Sequence, residues 1–328
     1  MRKATVLLSG ALVMAVLLLV SETVSGTAGA ETSVTSTGVS FGKTFWKQWG
    51  DGNAELASYD LTLSRYGQAR QGMAVSIVIP ETFSNTLRVK ADRGKHPESD
   101  QFPVLKLNLI EDFPTGIYDY NLMTSVFTTM AGVNGRATGS PTKISFSAQE
   151  WCGHVWGQLR FDTNSVRSVG HSYFDGEADS EGSLEFPPEG ISEDALLLWA
   201  RGWVAPRLRP GEKRDVPLLP ALKFARMAHE ALAWTEATLS HSVKSRKVTV
   251  PAGTFETDVL TAAIKGGRTW TFFVEQGGER RVVKWQTSDG QKAELVSSAR
   301  LAYWQMNDNR YLPAVQKLGL SPRPARTP

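Results

Sequence analysis

One cysteine, Cys152, stands in 328 residues. A lone thiol forms no internal disulfide, and its place in mid-chain excludes a lipid-bearing cysteine at a leader junction. Charge of one sign is lacking too: 36 Lys and Arg face 33 Asp and Glu, a formal charge of +3. Nucleic-acid binding needs a coherent basic face with a reading element, so no nucleic-acid partner is expected. The local clusters Arg201, Arg207, Arg209, Lys213, Arg214 and Lys244, Arg246, Lys247 read as solvated loops. Catalytic fingerprints are missing: no G-x-S-x-G, H-E-x-x-H, phosphate-loop or dinucleotide motif occurs, and no repeat suggests a propeller. No cofactor is implied.

What is present begins with an address. Arg2 and Lys3 precede an apolar run, Val6 to Val20, and a small, polar stretch ends at Ala28-Gly29-Ala30 before Glu31. That is the order of a secretory signal peptide over residues 1–30, so cleavage after Ala30 and export, periplasmic or secreted, are expected. The run is shorter than the ~20 residues a membrane span prefers, which ranks an uncleaved anchor second. Removing residues 1–30 takes Arg2, Lys3 and Glu22 and leaves 298 residues with a formal charge of +2. A chain of that length buries a core without disulfides.

From Glu55 the dominant signal is strand: short Val, Ile, Thr and aromatic runs punctuated by Gly, Pro, Asn and Asp. Leu61 and Leu63 alternate with polar neighbours, and Val75, Ile77 and Ile79 do so until Pro80 stops the run. Residues 117–129, 143–150 and 166–174 continue the series. After Val248 the segments 248–250, 256–263, 268–275, 280–287 and 292–304 follow one another through Gly266-Gly267, Gly277-Gly278 and Asp289-Gly290, which suit hairpins. One helix is expected at 193–203, capped by Ser192, with Leu196, Trp199, Ala200 and Trp203 on one face. Residues 222–239 are open between helix and strand, with strand ahead. The expected fold is all-β: an antiparallel barrel, or paired lobes over 41–185 and 215–306 joined by the helix and a Pro-rich linker. A β domain would thus fill 31–317, and the tail 318–328 is expected to be disordered.

Four stretches carry a resemblance: Phe45 to Gly52, Gly116 to Tyr120, Glu150-Trp151-Cys152-Gly153-His154, and His171 to Asp179. Together they are similar to a family of exported bacterial proteins without an assigned activity, sometimes labelled "septum formation inhibitor Maf". That label does not suit the chain. Maf proteins are cytosolic α/β nucleotide pyrophosphatases with S-x-S-P-R-R near the N-terminus, whereas the nearest echo here is Ser321-Pro322-Arg323-Pro324 in the tail. Val250-Pro251-Ala252-Gly253-Thr254-Phe255 resembles a motif of a broader exported family, which implies an antiparallel, lipocalin-like β structure. The resemblance brings no catalytic residues.

If residues 144–155 form one strand, its period of two sets Glu150, Cys152 and His154 on one face. Such a row could hold a metal or form a thiol nucleophile with its base, and His171 could join it. A reactive thiolate needs a positive setting, which Glu150 opposes, so Cys152 is expected to be structural, buried and slow to react. Asp175, Glu177 and Asp179, with Glu181, offer a second oxygen-rich candidate but lack the calcium-loop spacing. They read first as a solvated acidic turn. Trp46, Trp49, Trp151 and Trp156 are the expected lining of a ligand cavity among ten tryptophans.

The leading expectation is a non-catalytic exported protein that binds a lipid or glycan-like ligand at the cell envelope. A thiol- or metal-dependent hydrolase using Glu150, Cys152, His154 and His171 is the rival from the enzyme class. An envelope scaffold without a small ligand is the third reading.

Overall fold

The computed structural model describes residues 38–320. The expected signal peptide, residues 1–30, and the tail residues 321–328 lie outside the described residues. Helix α1 (Lys43–Trp49) leads into β1 (Ala54–Arg65), β2 (Gln68–Ser84), β3 (Gln101–Thr115) and β4 (Tyr118–Thr129). Then come β5 (Pro141–Glu150), β6 (Gly153–Phe161), β7 (Ser165–Ser172), β8 (Ser180–Glu185) and the two-residue β9 (Ile191–Ser192). Helix α2 (Leu196–Ala200), β10 (Lys213–Leu219), α3 (Leu222–Ala228) and β11 (Thr235–His241) follow. The chain closes with β12 (Arg246–Val250), β13 (Gly253–Ile264), β14 (Thr269–Glu275), β15 (Val282–Thr287) and β16 (Lys292–Leu301).

These strands make one sheet in the order β8-β7-β6-β5-β4-β3-β2-β1-β16-β15-β14-β13-β11-β10-β9, with β12 beside β13. Antiparallel pairing prevails, and β9 with β10 is the parallel exception. Fifteen strands in that path, spaced ~4.8 Å apart, would measure about 65–70 Å across if flat. Yet β8 and β9, the two edges, are joined by residues 186–190 alone, a link that reaches ~20 Å at full stretch. The sheet is therefore rolled, and it stays open, because β8 and β9 do not pair. Pairing of β1 with β16 makes the two expected lobes parts of one continuous sheet.

The inside of the roll is filled. Ser192 Oγ accepts from the Asp194 amide and starts the helical turn. Leu196, Leu198, Trp199 and Ala200 are all buried, and they join one core with Leu122 and Ile144 of the first half and Phe272 and Trp285 of the second. The helix expected at 193–203 is thus present in shorter form, a 3-10 turn over Glu193–Ala195 running into α2, and it plugs the sheet. It is one of three α-helices among the described residues. In α1, Trp49 is buried between Phe45, stacked at 5.6 Å, and Trp203 at 5.2 Å.

The C-terminal meander follows the expected order, β12 through β16. Several expectations need correction. Pro80 does not end a strand: β2 runs through it, and β1 pairs only as far as Val78 while β3 pairs on to Ser84. A proline is tolerated where one side of its strand is unpaired. Residues 222–239 divide, helix first and strand after. Arg201 is no solvated loop residue but is buried, donating to Glu55 at 2.5 and 2.8 Å, with its guanidinium 3.9 Å from the Trp203 ring centroid. The tail begins docked: Leu318 is buried against Leu56, Val75 and Ile77, and Ser58 Oγ donates to its carbonyl.

Candidate functional site

A cleft of about 450 Å³ lies between the inner side of β5–β7 and helix α3. Two glycines line it. Gly157 and Gly170 stand directly opposite each other on β6 and β7, and Phe146 of β5 pairs with Gly157. A Cβ built at Gly157 would touch Leu222 Cδ2 of α3 at 3.7 Å, and one at Gly170 would press on Ser180 Oγ at 3.0 Å, so the room lies beyond the first carbon at Gly157 and is tight at Gly170. Phe146, Val155, Leu222, Ala225 and Leu232 give the cleft an apolar wall, while Arg226, Glu177 and His229 give it a polar one. A second recess of about 140 Å³ shares Val155, Arg226 and His229 and reaches Tyr66, Glu150 and Cys152.

Helix α3 is seated by carboxylates from the turn before α2. Glu193 accepts from the Ala221 amide at 2.9 Å, Arg268 at 2.9 Å and Trp270 Nε1 at 2.7 Å, and Asp194 accepts from the Leu222 amide at 3.1 Å. These acceptors satisfy amides that a helix N-terminus leaves free. Burial pushes the Asp194 carboxyl up to about 7, helped by the Glu193 charge, against the opposing pull of the Leu222 amide, Lys223 and Ser192. Below the cleft, Lys223 Nζ donates to both oxygens of Glu111 at 2.8 and 2.7 Å, and Gln291 completes the group.

At its other end α3 stops on His229, held in the left-handed region at φ 57° with its amide on Ala225 O and Arg226 O. His229 Nδ1 meets Glu177, which also accepts from Ser172 Oγ at 3.1 Å and lies 3.5 Å from Arg226. Burial works to raise the Glu177 carboxyl, but the bonds from His229 and Ser172 and the Arg226 charge outweigh it, so it lies below its ordinary value. Arg226 also sits 4.0 Å from the Phe174 ring centroid.

The sequence candidates are only partly gathered here. Residues 144–155 are not one strand: β5 ends at Glu150, Trp151 and Cys152 form the turn, and β6 begins at Gly153, so the row of Glu150, Cys152 and His154 is not formed. Cys152 is exposed, contrary to expectation. Its amide donates to Glu150 Oε2 at 2.7 Å, and the hydrogen bond to Glu150, with burial and the carboxylate charge, raises the thiol above its ordinary value. That setting disfavours a thiolate. His154 lines neither recess; its ring centroid is 6.3 Å from that of His171, whose Nδ1 meets Asp179. Asp175 is exposed, Asp179 partners His171 and Glu177 partners His229. Among the described residues no three His, Cys, Asp or Glu side chains converge as a metal would need.

Of the four tryptophans, Trp156 borders the cleft, paired across β6–β7 with His171. Trp151 is 72% exposed on its hairpin tip with Tyr118 6.1 Å away. Trp46 and Trp49 belong to α1, and Trp49 serves the core. Sequence reasoning missed Arg226, His229 and the glycine pair. Gly157 and Gly170 carried a readable signal, since glycine within a strand marks a weak spot or a close approach. Comparison with protein-family models, curated proteins and solved structures found no match for this chain.

Proposed function

We infer that this protein is an exported, lipocalin-like binding protein that takes an amphipathic small molecule, with its apolar body in the cleft between β5–β7 and α3. The observation that carries this reading is the cleft of about 450 Å³ itself, lined by apolar side chains and by the opposed, half-buried glycines Gly157 and Gly170. That volume lies within the range of ligand pockets, which combine an apolar lining with a few placed polar groups. Phe146, Val155, Leu222 and Leu232 suit an acyl or other hydrocarbon body, and Arg226, Glu177 and His229 suit a polar head. The sheet is mostly antiparallel but open, where a lipocalin-like barrel would be closed; the charge, hydrophobe and A-x-A order of residues 1–30 supports export. No helix among the described residues is long and apolar enough to cross a membrane.

Native mass spectrometry of the protein purified from its own cell envelope tests the reading. The wild type should carry a noncovalent amphiphile, Gly157→Ala should retain it, and Gly157→Leu should lose it while keeping its β-sheet circular dichroism. A wild type without any bound amphiphile, or an adduct that persists in folded Gly157→Leu, would overturn it.

A further inference from the structure

The outer side of the same strands bears a second built feature. Lys143, Arg160 and Arg167 stand directly opposite one another on β5, β6 and β7. They lie three positions from Phe146, Gly157 and Gly170 and therefore on the other face, since side chains alternate along a strand. Like charges directly opposed across strands repel each other and weaken a sheet. Two more cations reach this row from connections. Arg88, after β2, and Arg136, after β4, are only 5% and 4% exposed. Both donate to Thr142 Oγ1, and both guanidinium groups lie against the Phe102 ring. Lys143 Nζ donates to Arg88 O at 3.2 Å and Arg160 Nη2 to Thr86 O at 3.0 Å, which ties the β2–β3 connection to the row.

Against these five cations stands one carboxylate, Asp162, 3.2 Å from Arg88 and 2.9 Å from Arg167. Among the described residues no carboxylate pairs with Arg136, Lys143 or Arg160. Of the three acids in the β2–β3 connection, Asp100 is engaged by Ser84, Thr86 and His96, Asp92 by Lys95, and Glu98 is exposed. Lys106 of β3, two strands away from β5, shows the ordinary solution: it has its own partner, Glu81, at 3.1 Å. The Nε atoms of Arg88 and Arg160 are buried without any partner. Arg88 also holds φ at 55°, a conformation costly for a residue with a side chain. Burial and the Arg88 charge depress the Arg136 guanidinium to about 10, and burial with the Arg160 charge lowers the Lys143 ammonium. Arg136 also donates to Asn85 Oδ1 at 2.9 Å, but a buried guanidinium without a counter-charge is a cost to the fold.

We propose that Arg88, Arg136, Lys143, Arg160 and Arg167 form an oxyanion site fitted to a phosphate group, free or as the phosphate-ester head of an envelope amphiphile. Guanidinium groups match phosphate oxygens; Arg160 and Arg167 stand side by side across β6 and β7, with Arg167 Nε and Nη2 turned to Asp162 at 3.1 and 2.9 Å. Leu87 and Val89, which flank Arg88, are exposed and offer the ester form an apolar neighbour. The site stands independently of the cleft on the inner face.

Calorimetric titration of inorganic phosphate into the full purified protein at low salt tests the site. Saturable binding is expected, weakening as salt rises, reduced at least tenfold in Lys143→Gln/Arg160→Gln and unchanged in Lys265→Gln, an exposed control. In phosphate-free buffer the double variant should melt no lower than the wild type, because repulsion is relieved, and added phosphate should raise the melting temperature of the wild type alone. A row that merely pins the β2–β3 connection makes the opposite prediction: the double variant melts lower and phosphate shifts neither protein. Co-sedimentation with phosphatidylglycerol but not phosphatidylcholine vesicles, competed by phosphate, assigns the ester form; phosphate binding without vesicle capture assigns the free ion. No saturable binding of either probe, or binding undiminished in the double variant, overturns the proposal.

Discussion

Removing the Lys223 ammonium tests how the cleft is held. Glu111 of β3 and Lys223 of α3 are 1% and 7% exposed and meet at 2.7 and 2.8 Å. Gln291 lies 3.2 Å from Glu111 and 3.4 Å from Lys223. Lys223→Met keeps a long apolar stem but strands the Glu111 carboxylate, with only the Gln291 amide to answer it. Breaking a buried pair from one side typically costs about 3–5 kcal/mol, because a charge remains without its counter-charge. Removing both charges costs far less, and Glu111→Gln/Lys223→Met retains an amide that can still bond to Gln291. The double variant should therefore be more stable than Lys223→Met alone, with a coupling of about 2 kcal/mol or more between the sites. At ~2.1 cal/mol/K per residue, a chain of this size has an unfolding entropy near 0.6 kcal/mol/K, so the single variant should melt about 5–8 °C lower.

Urea unfolding at neutral pH, followed by tryptophan fluorescence, measures all four corners of the cycle. A loss below about 1 kcal/mol in Lys223→Met, the level of an exposed ion pair, or strict additivity in the double variant would refute the reasoning. The consequence reaches the cleft, since Lys223 lies between Leu222, which faces Gly157, and Phe224, which packs 6.1 Å from Trp270. A loosened α3 should also lower amphiphile occupancy.

The C-terminal meander was legible because its strand periodicity and its turn chemistry agree. Gly266, Gly277 and Gly290 all take positive φ, as hairpin turns between alternating segments require. The β5–β6 hairpin was not legible, because its two turn residues are Trp151 and Cys152, which are not turn formers. Without that punctuation the period of two runs on through the turn, and a strand pattern alone cannot show where the chain reverses. Helix α3 was hidden for another reason. Seven residues do not separate helix from strand by periodicity, and its start is set by Glu193 and Asp194, 28 residues upstream.

The candidate site divides along the same line. Glu150, Cys152, His171, Glu177 and Trp156 were singled out by residue type, and all five border the cleft or its side recess. Their roles were not readable, since each depends on a partner far along the chain: Glu177 on His229, 52 residues away. The basic row on the outer face was invisible for the converse reason. Lys143, Arg160 and Arg167 form no run in sequence, and only strand register brings them side by side.

Two further outcomes follow from individual groups. Cys152 should react fully with a thiol reagent in the native protein, more slowly than a free cysteine at the same pH because Glu150 raises its thiol; protection until denaturant is added would contradict its exposed place in the turn. Asp194 should make stability depend on pH in a stated direction. Its carboxyl titrates near 7 in the folded chain and near 3.9 when unfolded, so the folded state holds a proton that the unfolded state releases. Its contribution is complete below about pH 4 and is lost as pH rises through about 7. Carboxylates such as Glu177, Asp289 and Glu294 are shifted the other way, so the slope of the wild type alone is not diagnostic. The difference between wild type and Asp194→Asn removes their shared contribution. That difference should move in favour of Asp194→Asn as pH rises from 4 to 7, and a difference that is flat or of opposite sign would show that Asp194 is ionised when it seats α3.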